Sequence, residues 1–152
     1  MLIDVSTIPE EGKRISGEEA PSILGLPPGE EASAEQPILY DFWVQAVSGR
    51  LIVTGSLRTD ISFACSRCAE LFRCTLAEPA FEAVREFSDS HEVIDLTDEI
   101  REAIILAFPN YPVCTDLCKG LCPHCGTNLN RAACQCSVKS SNDKWSALDQ
   151  LR

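Results

Sequence analysis

The stretch that decides the fold runs Ile38-Leu-Tyr-Asp-Phe-Trp-Val-Gln-Ala-Val-Ser-Gly-Arg-Leu-Ile-Val-Thr-Gly-Ser-Leu-Arg-Thr-Asp-Ile-Ser-Phe63. Ile38, Tyr40, Phe42, Val44 and Ala46 share one parity, and Leu39, Asp41, Trp43, Gln45 and Val47 take the other. After the short turn Ser48-Gly49-Arg50, Leu51, Val53, Leu57, Ile61 and Phe63 again fall on one parity. Thr54, Ser56, Arg58, Asp60 and Ser62 lie between them. Successive side chains of a strand point to opposite faces, so this period of two reads as a long antiparallel hairpin with one buried face. Gly55 is a candidate bulge of the kind that lets a long strand curve.

Cys65-Ser-Arg-Cys68 interrupts the second strand, Leu71 to Leu76 resumes it, and Phe81 to Phe87 reads as a further strand. A CxxC turn between strands brings two thiolates to one point while the backbone reverses, which is the geometry of a zinc knuckle. Asp95 to Phe108 has the pattern of a helix. Asp95 or Thr97 can cap it, Asp98 and Glu99 suit the positive end of its dipole, and Pro109 stops it. Ile100, Ala103, Ile104 and Ala107 form its apolar stripe, widened by Ile105, Leu106 and Phe108. Toward the N-terminus, Leu2 to Val5 reads as a short strand. Residues 9–37, rich in Pro, Gly and Glu, read as a long loop or flexible edge. Near the C-terminus a short helix is expected from Asn142 or Asp143, with Trp145, Leu148 and Leu151 on one side. The expected class is therefore α+β. An antiparallel β-rich body (1–110) carries one main helix (95–108). A C-terminal four-cysteine zinc-knuckle or ribbon tail (111–152) follows, with its short terminal helix.

Composition limits what such a chain does. Its 152 residues allow one ordinary domain with a small appended module and rule out a large multidomain enzyme. A hydrophobic content of 45% supplies a globular core. The longest apolar run, Ala103 to Phe108, is far short of the roughly 20 residues that a membrane span requires. The opening residues MLIDVSTIPEEG lack the basic start and apolar run of a secretory signal, so a cytoplasmic protein is expected. In that reducing compartment nine cysteines do not form a disulfide framework, and an odd number cannot pair fully within one chain.

The cysteines instead fall into chelating pairs: Cys65 with Cys68, Cys114 with Cys118, Cys122 with Cys125, and Cys134 with Cys136. Four pairs supply eight thiolates, enough for two four-cysteine zinc sites, and leave Cys74 over as a core thiol between Phe72 and Leu76. Two pairings satisfy the spacing. In one, Cys122 and Cys125 join Cys134 and Cys136 across an eight-residue loop, and Cys65 and Cys68 take Cys114 and Cys118. In the other, Cys114 and Cys118 join Cys122 and Cys125, and Cys134 and Cys136 return to Cys65 and Cys68. The first closes the shorter loop at less entropic cost. Four thiolates leave no open position for a substrate, so a structural role is expected. Redox-active CxxC motifs sit near βαβ patterns at a helix start, whereas Cys65 and Cys68 sit between strands. His124, between two cysteines, is expected beside the metal or exposed rather than on it. No GxSxG, P-loop, GxGxxG or HExxH motif is present, and no enzyme is expected.

The tail Val113-Cys114-x3-Cys118-Lys119-Gly120-Leu121-Cys122-Pro123-x-Cys125-Gly126-x-Asn128-Leu129-Asn130, followed by Cys134-x-Cys136, resembles the YceD family. The Cys65-Ser-Arg-Cys68 unit after a strand pair, the helix ending Ile105-Leu106-Ala107-Phe108-Pro109 and the closing Asp143-x-Trp145-x-x-Leu148-x-x-Leu151 resemble it too. The likeness covers roughly residues 36–152. This chain departs from the family pattern near its end, where Asn142-Asp143-Lys144-Trp145 replaces the usual Asp-Pro-Arg-like residues. The family is named for large ribosomal RNA subunit accumulation. The resemblance implies a bacterial cytoplasmic factor that supports large-subunit (23S) rRNA accumulation or processing and biogenesis of the large ribosomal subunit.

Charge bears on how such a factor makes contact. Residues 1–60 and 61–110 each hold ten acids and four bases, whereas residues 111–152 hold three acids and five bases. The formal charge of −10 counts thiols as neutral, and each four-thiolate zinc site adds −2, giving about −14. A body this acidic does not coat RNA. Contact with large-subunit rRNA or its precursor is expected only through the tail, at Lys119, Arg131, Lys139 and Lys144, with Asn128 and Asn130 donating hydrogen bonds. The acidic body suits a basic ribosomal protein or processing factor. A zinc-dependent RNA-binding module and a thiol redox sensor or chaperone are the alternative readings. No membrane or small-molecule substrate is expected.

Overall fold

The computed structural model describes residues 1–26, 32–89 and 91–136. Its elements in chain order are β1 (Leu2–Asp4), β2 (Lys13–Glu19), β3 (Ala32–Ala34), β4 (Ile38–Val47), β5 (Arg50–Ala64), β6 (Leu71–Glu86), β7 (Val93–Asp95) and α1 (Thr97–Leu106). Single 3₁₀ turns sit at Val5–Thr7 and Pro21–Leu24. Among these residues no helix is long and apolar enough to cross a membrane. The helix expected from residue 142 lies outside them.

Antiparallel pairing builds the sheet around β5. One of its edges carries β4, opposite residues 50–58, and then β3, opposite residues 61–63. The other edge carries β6 along nearly its whole length, and β2 adds to the far side of β4. The parity read from the sequence holds. Ile38, Phe42, Val44, Leu51, Val53, Leu57, Ile61 and Phe63 are buried, while Leu39, Trp43, Thr54, Ser56 and Arg58 are exposed. Aromatic stacking reinforces the inner face, with Phe42 and Phe81 ring centroids 4.7 Å apart.

The bulge lies where Gly55 marked it, but the extra residue belongs to the partner strand. Gly55 faces Phe81 and Leu57 faces Glu78, so two steps along β5 match three along β6. Pro79, which has no N–H to give a ladder, stands in that step, and the Ala80 N–H turns to Glu78 Oε1 at 2.9 Å. Gly55 answers a different need. A Cβ there would collide with the Asp41 carbonyl oxygen and sit 2.9 Å from Phe42 Cα. The bulge also reverses the parity of β6, so Leu76 is buried before it and Phe81 and Ala83 after it. The two strands read at 71–76 and 81–87 are therefore one strand with a kink.

Residues 9–37 are not the expected loop: β2, the Pro21–Leu24 turn and β3 all fall within them. An edge strand such as Lys-Arg-Ile-Ser-Gly-Glu-Glu is held by backbone pairing to β4 and buries almost nothing, so it shows no apolar alternation. The helix is two residues shorter at each end than the expected 95–108. The Asp95 carboxylate accepts from the Thr97 N–H at 2.9 Å, and these bonds to Thr97 hold its pKa below the usual carboxylate range. Ile100 and Ile104 are fully buried over the sheet. Leu106, which the stripe included, is 76% exposed. Each fully buried aliphatic side chain contributes about 1.5–3 kcal/mol, so this face holds α1 in place. Just beyond its end, Phe108 meets Phe63 edge-on at 5.1 Å, which brings the following chain to the tip of the β5–β6 hairpin.

Candidate metal centres

That tip is the Cys65–Cys68 knuckle. The Cys65 N–H donates to the Glu70 carbonyl at 2.9 Å, and the Ala69 N–H donates back to the Cys65 carbonyl at 2.8 Å. Residues 122–127 repeat the turn: the Cys122 N–H donates to Thr127 O at 2.8 Å and the Gly126 N–H to Cys122 O at 2.9 Å. The residue after the second cysteine is left-handed in both, with φ +59° at Ala69 and +72° at Gly126. Glycine takes that conformation freely, and alanine pays about 1 kcal/mol for it.

The sulfurs gather into two groups of four: Cys65, Cys68, Cys114 and Cys118, and Cys122, Cys125, Cys134 and Cys136. Within each group all sulfurs lie within 4.8 Å of one another. This is the first of the two groupings that the spacing allowed. The first group takes one pair from each side of position 110, so it fastens the segment after the helix to the sheet. Cys74, on β6, stands outside both groups and packs against the main core. His124 is exposed and in neither group.

Donor chemistry and distances both suit a metal ion. A tetrahedral ion with metal–sulfur bonds of about 2.3 Å separates its sulfurs by about 3.8 Å. Cys65 and Cys118 are 3.8 Å apart, as are Cys68 and Cys114, and none of the cysteines forms a disulfide. Either group could hold a metal ion.

Neighbouring groups favour charge on some of the sulfurs and oppose it on others. Burial pushes the Cys65 thiol up, but backbone N–H donors from Cys114, Cys68 and Arg67 together outweigh it and lower its pKa to about 6. Cys114 moves the other way, to about 12, through burial and the three sulfurs around it. The second group has the same division: the Thr127 hydroxyl and N–H lower Cys125 to about 6, while its bond with Cys125 and burial raise Cys136 to about 12. A divalent cation, if bound, would relieve this crowding by letting all four ionise.

Side chains lock the two groups together. Arg67, inside the first knuckle, donates from Nη1 to the carbonyls of Asp116 at 3.0 Å and Cys118 at 3.2 Å. Its own carbonyl accepts from the Leu121 N–H at 3.0 Å. A Cβ on Gly120 (φ +74°) would meet that carbonyl oxygen at 3.0 Å. Asn130 Nδ2 donates to Cys118 Sγ at 3.2 Å while its Oδ1 accepts from the Lys119 N–H at 2.8 Å. Asn128 Oδ1 in turn accepts from the Asn130 N–H at 2.9 Å. Arg131 pairs with Glu70 at 2.6 Å.

Several residues read as contacts for RNA or a partner also make bonds to other parts of the chain. Asn130 has both ends of its amide bonded, Asn128 supports it, and Arg131 is neutralised by Glu70. Lys119 is exposed. Lys139 and Lys144 lie outside the described residues. Arg67, Glu70 and the sulfur contact of Asn130 were missed from the sequence. The position of Arg67 between two cysteines was the one available signal, and how far its guanidinium reaches depends on the tertiary approach of residues 116–118.

The comparisons fit this geometry. The family described as "Large ribosomal RNA subunit accumulation protein YceD" matches residues 53–152. The chain is 34% identical over 59 residues to the Arabidopsis thaliana protein "Large ribosomal RNA subunit accumulation protein YCED homolog 1, chloroplastic", covering 39% of this chain and 18% of that one. The Zea mays protein of the same name is 28% identical over 152 residues, covering 73% and 52%. An uncharacterized protein of Mycobacterium tuberculosis (strain ATCC 25618 / H37Rv) is 33% identical over 126 residues, covering 72% and 59%. The chain spans less than two thirds of the length of each of these relatives. No solved structure matches it. With the matched region running from Val53, near the start of β5, through both cysteine groups, the chain belongs to the YceD family of large ribosomal RNA subunit accumulation proteins.

Proposed function

We propose that this chain is a non-enzymatic factor that supports accumulation of large-subunit ribosomal RNA, and so biogenesis of the large ribosomal subunit, with a structural zinc ion in each cysteine group. The observation that carries the reading is the family match, which spans nearly all of the β5–β6 hairpin, the helix and both groups. Cys65, Cys68, Cys114 and Cys118 would hold one ion, and Cys122, Cys125, Cys134 and Cys136 the other. Four thiolates fill a tetrahedral zinc, so each ion would fasten backbone segments together and leave no position at which to activate water or substrate.

The direct contact is with a basic protein, a ribosomal protein or a processing factor, more than with the RNA itself. The chain carries −10 before metal, Arg131 is ion-paired with Glu70, and Arg67 is bonded to backbone carbonyls of residues 116 and 118. Depleting the protein and profiling ribosomal particles tests the main reading. Large-subunit rRNA falls or its precursors accumulate, and unchanged levels and precursor ends overturn it. Binding to rRNA fragments across a salt series decides the contact. A steep fall in affinity with salt would favour the RNA-binding alternative.

A further inference from the structure

We infer that Asn130 is a positioning residue that couples the two cysteine groups, so that loading the second raises the metal affinity of the first. The inference rests on the reading of both groups as metal sites and deepens it.

The argument begins with where Asn130 sits. It lies in the loop between Cys125 and Cys134, so the second group closes the loop that carries it. The same loop is folded by its own backbone: Arg131 and Ala132 donate to Asn128 O at 3.1 Å, and Leu129 donates to Gly120 O at 2.9 Å. From that loop the carboxamide reaches out of its own group. Its Nδ2 donates to Cys118 Sγ of the first group at 3.2 Å. Its Oδ1 takes the Lys119 N–H, which fixes the amide so that the N–H rather than the oxygen faces the sulfur. Arg131, the next residue, is tied to Glu70 on the first knuckle. Donors to a coordinating atom tune its affinity, typically by 10- to 100-fold when removed. A metal ion that orders the 126–133 loop meets in advance the entropic cost of aiming this donor. The coupling is reciprocal, since any gain at the first site returns to the second.

The test uses the full chain, reduced and metal-free, titrated with Zn²⁺ against a chelator and separately with Co²⁺. Mass-spectrometric mapping of metal-protected cysteines assigns occupancy to each group. Four proteins form a cycle: the unmodified chain, a Cys125→Ser/Cys136→Ser chain with the second group disabled, Asn130→Asp, and the combination. Asn130→Asp keeps an oxygen for the Lys119 N–H and replaces the donor to Cys118 with a carboxylate oxygen, which removes the bond and adds repulsion at the sulfur. The disabled chain and Asn130→Asp each weaken zinc at the first group by about tenfold or more. The combination is no weaker than the worse of the two, because both remove the same contact. The sulfur-to-cobalt absorption of the first group moves to longer wavelength in Asn130→Asp, since an unbonded thiolate holds its electrons less tightly. A general loss of folding would not produce that spectral shift in a still-loaded site. Two bound ions with additive effects, or with an unchanged first-group affinity in Asn130→Asp, overturn the coupling and leave the metal reading intact. Fewer than two zinc ions in the unmodified chain overturns the metal reading, and the coupling with it.

Discussion

The two cysteine groups use the same turn at different depths. In the first, Cys65, Cys68 and Cys118 are all buried, and the group joins a hairpin tip to a segment that begins beyond the helix. In the second, only Cys122 is buried, Cys125 is exposed, and all four ligand candidates come from residues 122–136. The difference shows what spacing alone decides. A short-range group organises its own loop, whereas a long-range group organises the relation between parts. Losing the first should therefore reach the whole fold, and losing the second should stay local.

Cys68→Ser is the strongest challenge to that contrast. It removes one thiolate from the buried group and releases the 112–121 segment from the sheet. With zinc present, chemical denaturation should show a loss of about 4 kcal/mol or more. Cys122→Ser should cost less, about 1–2 kcal/mol at the first group through the weakened coupling. In amide exchange, residues 119–136 lose protection while β4, β5 and β6 keep theirs. Equal losses from the two variants would erase the distinction. A finer comparison exchanges the left-handed residues of the two knuckles. Gly126→Ala meets no neighbour within 4 Å, so its cost is conformational, about 1 kcal/mol. Ala69→Gly should go the other way and stabilise the chain by about 0.5 kcal/mol, part of the relief being lost to a more flexible unfolded state. Calorimetry that finds both changes destabilising would show that the turns differ in more than their residue. The smallest effect belongs to Arg131→Gln. The Arg131–Glu70 pair is largely exposed, so its loss should cost under about 1 kcal/mol, less still at high salt.

What the sequence disclosed follows from what each element rests on. The β4–β5 hairpin was legible because burial on one face imposes alternation, and the helix stripe at Ile100 and Ile104 for the same reason. The paired cysteines were legible because chelation needs short spacing. β2 was not, because an edge strand is recruited by backbone bonds that any sequence can make. The unity of β6 was hidden by its bulge, which moves the inward positions from even to odd numbers between Leu76 and Phe81. Asn130 has a role inside the fold that the sequence does not disclose. An asparagine in a basic tail reads as a donor to RNA, and only the folded chain brings its amide to the Cys118 sulfur, twelve positions back along the sequence.

The first group also sets an order of assembly. Cys65 and Cys118 are 53 positions apart, yet their sulfurs are 3.8 Å from each other. A ribosome delivers the hairpin first, then β7 and α1, and only then Cys114 and Cys118. Two thiolates at the hairpin tip can hold an ion only weakly while they wait, because half of the coordination sphere has not yet been made. The second group has no such delay, since its four thiolates leave the ribosome within one short stretch. Tight capture of an ion at the hairpin tip would therefore come after the helix exists, and a filled first group would mark a chain whose body is already folded.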